Sequence, residues 1–145
     1  NKKYILFFFH FFIGDNVLKV AYVFATSGNT AHYKLGQMIL PQLEENRHGV
    51  EVVGLFFFDD NTLILQKGNE IGERLSKVAA SQNILLMMCD QCALSRGLAE
   101  GAPGDKDSIM TKAAPKNTVD NVTVGCFPDL YTALSGNMPD QVITI

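Results

Sequence analysis

Cys89 and Cys92 are separated by Asp90 and Gln91, directly after the apolar run Ile84-Leu85-Leu86-Met87-Met88 and directly before Ala93-Leu94-Ser95-Arg96. The run reads as a buried strand and the residues after it as a helix opening, so both thiols fall where a strand meets a helix. Free N–H groups and the dipole at a helix start favour a thiolate, and the expectation is a Cys89 pKa below that of a free cysteine. Spaced i and i+3, the two sulfurs are neighbours if the helix begins there. Such a pair serves three chemistries: accepting sulfane sulfur as a persulfide, cycling between dithiol and disulfide, and holding a soft metal. The plain alternative is two inert buried cysteines, against which the polar Asp90 and Gln91 speak. Cys126, in Val122-Thr123-Val124-Gly125-Cys126-Phe127-Pro128, also follows a strand-like run.

Other residues add candidates. Thr26-Ser27-Gly28-Asn29-Thr30 lies between a strand and a helix, where hydroxyls and backbone N–H groups cradle a phosphate. FMN is the less favoured occupant, because only Phe127 and Tyr131 stand near a suitable edge to flank a flavin; a turn with Asn29 or Thr30 as N-cap explains the same residues. His32, one turn on, is a surface residue or a ligand. A soft-metal site would draw on Cys89, Cys92 and Cys126, with His32 completing the set. Arg96, one helical turn beyond Cys92, is placed to help a thiolate or an anionic substrate. Met87 and Met88 read as core, and His48 as a partner of a helix C-terminus.

The elements that must position these residues alternate. Strands are expected over Leu18 to Phe24, Val50 to Phe58, Ile84 to Met88, Val122 to Val124 and Val142 to Ile145. Helices are expected over Thr30 to Asn46, Glu70 to Ala80 and Asp129 to Ser135, with Pro41 predicted to kink the first or shift its start. Gly101 to Asn121 reads as a long loop, a length that signals function or mobility. Strands apolar on both faces argue for a mainly parallel, roughly five-stranded sheet in a three-layer α/β/α, flavodoxin-like fold. Right-handed crossovers put every strand-to-helix loop at one edge, so the 26–30 loop, Asp59-Asp60-Asn61-Thr62, the cysteine pair and Gly125-Cys126-Phe127 can converge.

At 145 residues the chain suits one domain, taken as 17–145. Its net charge of -3 offers no basic stripe, which disfavours direct nucleic-acid binding. Three cysteines do not make a secreted disulfide framework, and a cytoplasmic setting is expected. Residues 1–16 form an apolar extension around Tyr4-Ile5-Leu6-Phe7-Phe8-Phe9-His10-Phe11-Phe12-Ile13, too short to span a bilayer, which needs about 20 residues. It is expected to be dispensable for the fold, and no membrane partner is expected.

Cys89-Asp90-Gln91-Cys92-Ala93-Leu94-Ser95-Arg96-Gly97-Leu98 resembles the DsrE/DsrF and TusD sulfur-relay family, in which a persulfide-carrying cysteine precedes an Ala-rich turn and an Arg-Gly pair. The order of elements from Leu18 to the ending Asp140-Gln141-Val142-Ile143-Thr144-Ile145 is similar to that family too. The resemblance implies that Cys89 is the sulfur carrier, that the fold is flavodoxin-like, and that the protein forms homo- or hetero-oligomers with sulfur donor and acceptor proteins. Cys92 stands where many relay members carry a small apolar residue, and Cys126 is a further thiol. Either resolves or relays a persulfide in this reading, without a cofactor. The alternatives are a soft-metal module and an FMN electron carrier.

Overall fold

The computed structural model describes residues 12–13, 16–26 and 29–145. Most of the 1–16 extension lies outside the described residues, as do Ser27 and Gly28; within it, Phe12–Ile13 pairs antiparallel with Asn16–Val17.

Strands β1 (Lys19–Phe24), β2 (Glu51–Phe57), β3 (Leu85–Cys89), β4 (Val122–Gly125) and β5 (Gln141–Thr144) form one sheet in the order β4-β3-β2-β1-β5. Every pairing in it is parallel. The chain steps one strand at a time from β1 to β4, so right-handed connections lay their helices on one face. It then returns across the whole sheet to β5, and the helix of that crossover lies on the other face. Hence α1 (31–44), α2 (Glu70–Gln82) and α3 (Asp90–Ser95) pack against Tyr22, Phe24, Leu55, Phe57, Leu86 and Met88. Among the described residues, helix α4 (Phe127–Ser135) alone covers Phe56 and Met87, through Leu130 and Leu134.

Among the described residues, that single helix is too little cover for a five-stranded face. Phe127, Tyr131, Met138 and Val142 remain exposed there. A cavity of about 370 Å³ opens between the sheet and α4, lined by Val23, Gly54, Phe56, Leu130, Leu134 and Val142 among others.

Pro41 acts differently from a simple kink. The first part of α1, Ala31–Ile39, is wound with wide i→i+5 turns, ending where Leu40 N–H donates to Leu35 O, and ordinary α winding runs over Leu40–Glu44. In regular α winding a proline at 41 lacks its bond to Gln37 and presses its ring on that carbonyl; the wider turn absorbs the misfit without ending the helix. Helix α2 is regular. Asn69 Oδ1 accepts from Ile71 N and Gly72 N at 3.0 and 3.1 Å, and Asn83 closes it at φ 55°.

Between β2 and α2 a 3-10 segment, Asp59–Leu65, carries the buried Asn61. Its Nδ2 donates toward Phe24 O, Thr26 O and Phe58 O at 3.2, 3.1 and 3.0 Å, which ties the carboxyl ends of β1 and β2 together. The segment also packs tightly on α2: a Cβ at Gly72 would lie 2.1 Å from Ile64 O. Gly72→Ala is therefore expected to cost about 1–3 kcal/mol, read as a lower urea midpoint.

The region expected as a loop after α3 is more ordered than that. Ala99–Glu100 pairs antiparallel with Ala114–Pro115, so 99–115 forms a flap standing on a two-residue base. At its tip Asp105 accepts from Asp107 N, Ser108 N and Lys112 Nζ, and the Lys112 bond with the two backbone donors holds its carboxyl down at about 2.

Candidate functional site

Cys89 is the last residue of β3 and the N-cap of α3, so the strand-to-helix junction read from the sequence is where both thiols of the pair sit. Its Sγ accepts from Cys92 N at 3.4 Å. Around it the apolar surface is aromatic: Cys89 packs against the cluster of Phe56, Met87 and Leu130, with Phe58 alongside. The Phe56 and Phe58 rings meet edge-on at 4.6 Å, and Phe127 lies 5.5 Å from Phe58.

The expected lowering of the Cys89 pKa does not hold. Burial pushes the thiol up, the Cys92 side chain adds to it, and the backbone N–H groups of Cys92 and Gln91 only partly oppose them, leaving Cys89 at about 11. A six-residue α3 has little dipole to offer, and desolvation penalises the anion more than the helix start favours it. Alkylation of Cys89 should thus climb about tenfold per pH unit between roughly pH 7 and 10, without a plateau. A Cys92→Ala variant, lacking the neighbouring thiol, should react several-fold faster at pH 8. The same shift has a stability consequence. Above about pH 9 the folded chain keeps a proton that the unfolded chain releases, so this stabilisation is lost as pH rises toward about 11.

Carboxylates crowd the pair. Asp90 is buried, with Oδ1 accepting from Gln91 N at 2.7 Å and Oδ2 from the flap's Gly104 N at 3.3 Å. Cys92 Sγ reaches Asp59 Oδ1 at 3.9 Å. Arg96 turns away from the sulfurs: it pairs with Asp60 at 2.8 Å and donates through Nη1 to Cys92 O at 3.1 Å. Its charge fastens the end of α3 to the 3-10 segment, a different duty from the thiolate or anion contact expected of it.

Cys126 enters from the neighbouring strand. Cys89 stands opposite Gly125 in the β3–β4 register, so Cys126 follows one residue beyond. It is the N-cap of α4, and Asp129 is the carboxylate at its third helical position. Asp129 Oδ2 accepts from Cys126 N at 2.9 Å and from Cys126 Sγ at 2.8 Å, while the same sulfur reaches Ile109 O of the flap at 3.0 Å. Gly125 makes room for this, since a Cβ there would lie 2.6 Å from Asp129 Cβ. Desolvation, then the Asp129 carboxylate, keeps the Cys126 pKa above its ordinary value.

The other candidates stand apart from the thiols. His32 is exposed on α1 and lines a separate hollow with Asp60 and Asn61. Among the described residues no group of three or more His, Cys, Asp or Glu side chains is placed to hold a metal ion; Cys89, Cys92, Cys126 and His32 are not gathered into one. Of the 26–30 loop, Thr26 is exposed with its carbonyl bound by Asn61 Nδ2, and Asn29 O accepts from Tyr33 N. Thr30 occupies the N-cap position in helical conformation without a side-chain cap bond, so the capping expected of it is not made. Met87 and Met88 are buried as expected. His48 is bound to Tyr22 OH and Gln42 Oε1, both at 2.8 Å, in place of a helix terminus.

No family model matches the sequence, and no curated protein matches it. The chain is similar to the ychN protein from E. coli. The likeness covers 88% of this chain and 98% of that one, with a TM-score of 0.56 at 18% identity. At that identity it speaks for the fold, which is the flavodoxin-like α/β fold expected from the strand pattern.

Sequence reading placed the Asp59 loop at the edge of the thiols, as Cys92 Sγ near Asp59 Oδ1 bears out, but missed Asp129 as a neighbour of Cys126. For Asp129 a signal was present: Cys126-Phe127-Pro128-Asp129 is a capping-box pattern with proline at the second helical position and cysteine at the cap.

Proposed function

We propose that this protein carries sulfane sulfur as a persulfide on Cys89 and passes it between protein partners. The observation that carries this reading is the seat of Cys89, a sulfur at the sheet edge that accepts the Cys92 N–H and lies on an aromatic surface. The N–H steadies negative charge as it develops on sulfur, and the aromatic rings shelter a persulfide from water and stray thiols. In the loading step the Cys89 sulfur attacks the outer sulfur of a donor persulfide. One S–S bond forms, the donor's S–S bond breaks, and the donor leaves as a thiol with the Cys89 proton. Delivery to an acceptor thiol is the same exchange in reverse.

A second thiol turns the carrier into a releasing site. Attack by Cys92 or Cys126 on the Cys89 sulfur forms a disulfide and expels hydrosulfide, with the attacking thiol's proton leaving on it. The carboxylates of Asp59, Asp90 and Asp129 disfavour small anionic donors by repulsion and favour a donor borne on a protein. The open apolar face beside Cys89 supports assembly with such partners or with further copies of the chain. Free thiols throughout suit a reducing, cytoplasmic compartment. Among the described residues no helix is long and apolar enough to cross a membrane.

Intact mass after incubation with a persulfide donor tests the reading. The carrier gains one sulfur that a reductant removes. No gain, together with bound metal that shields the thiols until a chelator is added, would replace it with the soft-metal reading.

A further inference from the structure

The flap 99–115 is held to the body of the protein by its two arms, and each arm ends on a carboxylate next to a thiol. Gly104 N on the outgoing arm donates to Asp90 Oδ2, and Thr111 N on the returning arm donates to Asp129 Oδ2 at 3.1 Å. Lys112 N donates to Ala102 O at 3.0 Å, which keeps the arms together. Between these points the Cys126 sulfur touches Ile109 O and Asp129 Oδ2, at 3.0 and 2.8 Å.

Both of those partners are acceptors. A thiol has one hydrogen to share with them, and as a donor it draws the flap carbonyl and the α4 carboxylate together. On the helix side the sulfur also accepts from Asp129 N, but once it has lost its hydrogen it sets lone pairs against a charged carboxylate and against the flap carbonyl, which has no donor to offer it. Contact at these distances then becomes repulsive, and the groups that must yield are those on the flap, because the Asp129 carboxylate is held at the third position of α4 by Cys126 N.

We propose that the Cys126 thiol is the latch of the 99–115 flap, and that replacing its hydrogen, by a disulfide or a persulfide, opens the flap. Opening uncovers the ends of β3 and β4, where Asp90 and Cys126 sit. The inference does not rest on sulfur transfer. It needs only the S–H donor and its two oxygen acceptors, and it makes the flap report the state of this one sulfur.

The test uses the full chain with Cys89→Ser and Cys92→Ser, so that Cys126 is the remaining thiol. Methyl methanethiosulfonate modifies it: the sulfur forms a new S–S bond to the methylthio group, the reagent's S–S bond breaks, methanesulfinate leaves and the thiol proton passes to buffer. Backbone hydrogen exchange is then read on peptides covering Gly104 and Thr111, with β2 peptides reporting the intact fold. Flap amides should exchange about tenfold faster or more after modification and recover on reduction with dithiothreitol. Cys126→Ser, which keeps a hydroxyl donor, should match the unmodified protein, and Cys126→Ala should match the modified one. Full modification with unchanged flap exchange, or a Cys126→Ala flap as protected as the Cys126→Ser flap, would overturn the latch.

Discussion

Cys89→Ser loses sulfur uptake, with the rate of adduct formation falling roughly a hundredfold or more, because a serine hydroxyl at neutral pH supplies almost no anionic nucleophile. Cys92→Ser and Cys126→Ser each keep the one-sulfur gain. The reason is structural: the group that Cys92 offers to the Cys89 sulfur is its backbone N–H, which serine retains. Timed mass spectra of the three variants separate these outcomes. Uptake in Cys89→Ser equal to that of the unaltered protein would move the carrier to another thiol.

Phe57→Ala should produce the largest loss of stability. Phe57 is fully buried, stands beside Phe24 in the β1–β2 register and stacks on its ring at a centroid distance of 5.1 Å. Removing it leaves a cavity at the centre of the main core, at a cost of about 3–5 kcal/mol. With a urea dependence of about 1–3 kcal/mol per molar, the unfolding midpoint falls by more than about 1 M. Phe127→Ala is the contrast. Its ring is 52% exposed on the uncovered face, so stability changes little and any loss should be in partner binding. Equal destabilisation by both substitutions would contradict the division between a closed face and an open one.

The strands were legible because the interior strands are apolar on both faces, and β2 and β3 ended within a residue or two of the expected limits. Their convergence on one edge followed from chirality alone, and adjacency of β3 and β4 does bring Cys126 beside the pair. The sequence pattern did not disclose the pairing of Ala99–Glu100 with Ala114–Pro115, since a two-residue strand has no period to detect. The 3-10 segment was equally silent, its Asp59-Asp60-Asn61 start reading as a turn. Most instructive is Cys89. Its position was read correctly and the direction of its pKa was not, because a junction with a helix is visible in sequence while the aromatic packing that desolvates the sulfur is a property of the fold.

The central claim is that Cys89 itself carries the sulfur. Its most direct test is peptide mapping by mass spectrometry of the Cys92→Ser, Cys126→Ser double variant after exposure to a persulfide donor, with thiols and persulfides alkylated before digestion. The account predicts one added sulfur on the peptide containing Cys89, removed by reductant. A cooperatively folded double variant whose Cys89 peptide stays unmodified under conditions that load the unaltered protein would contradict it.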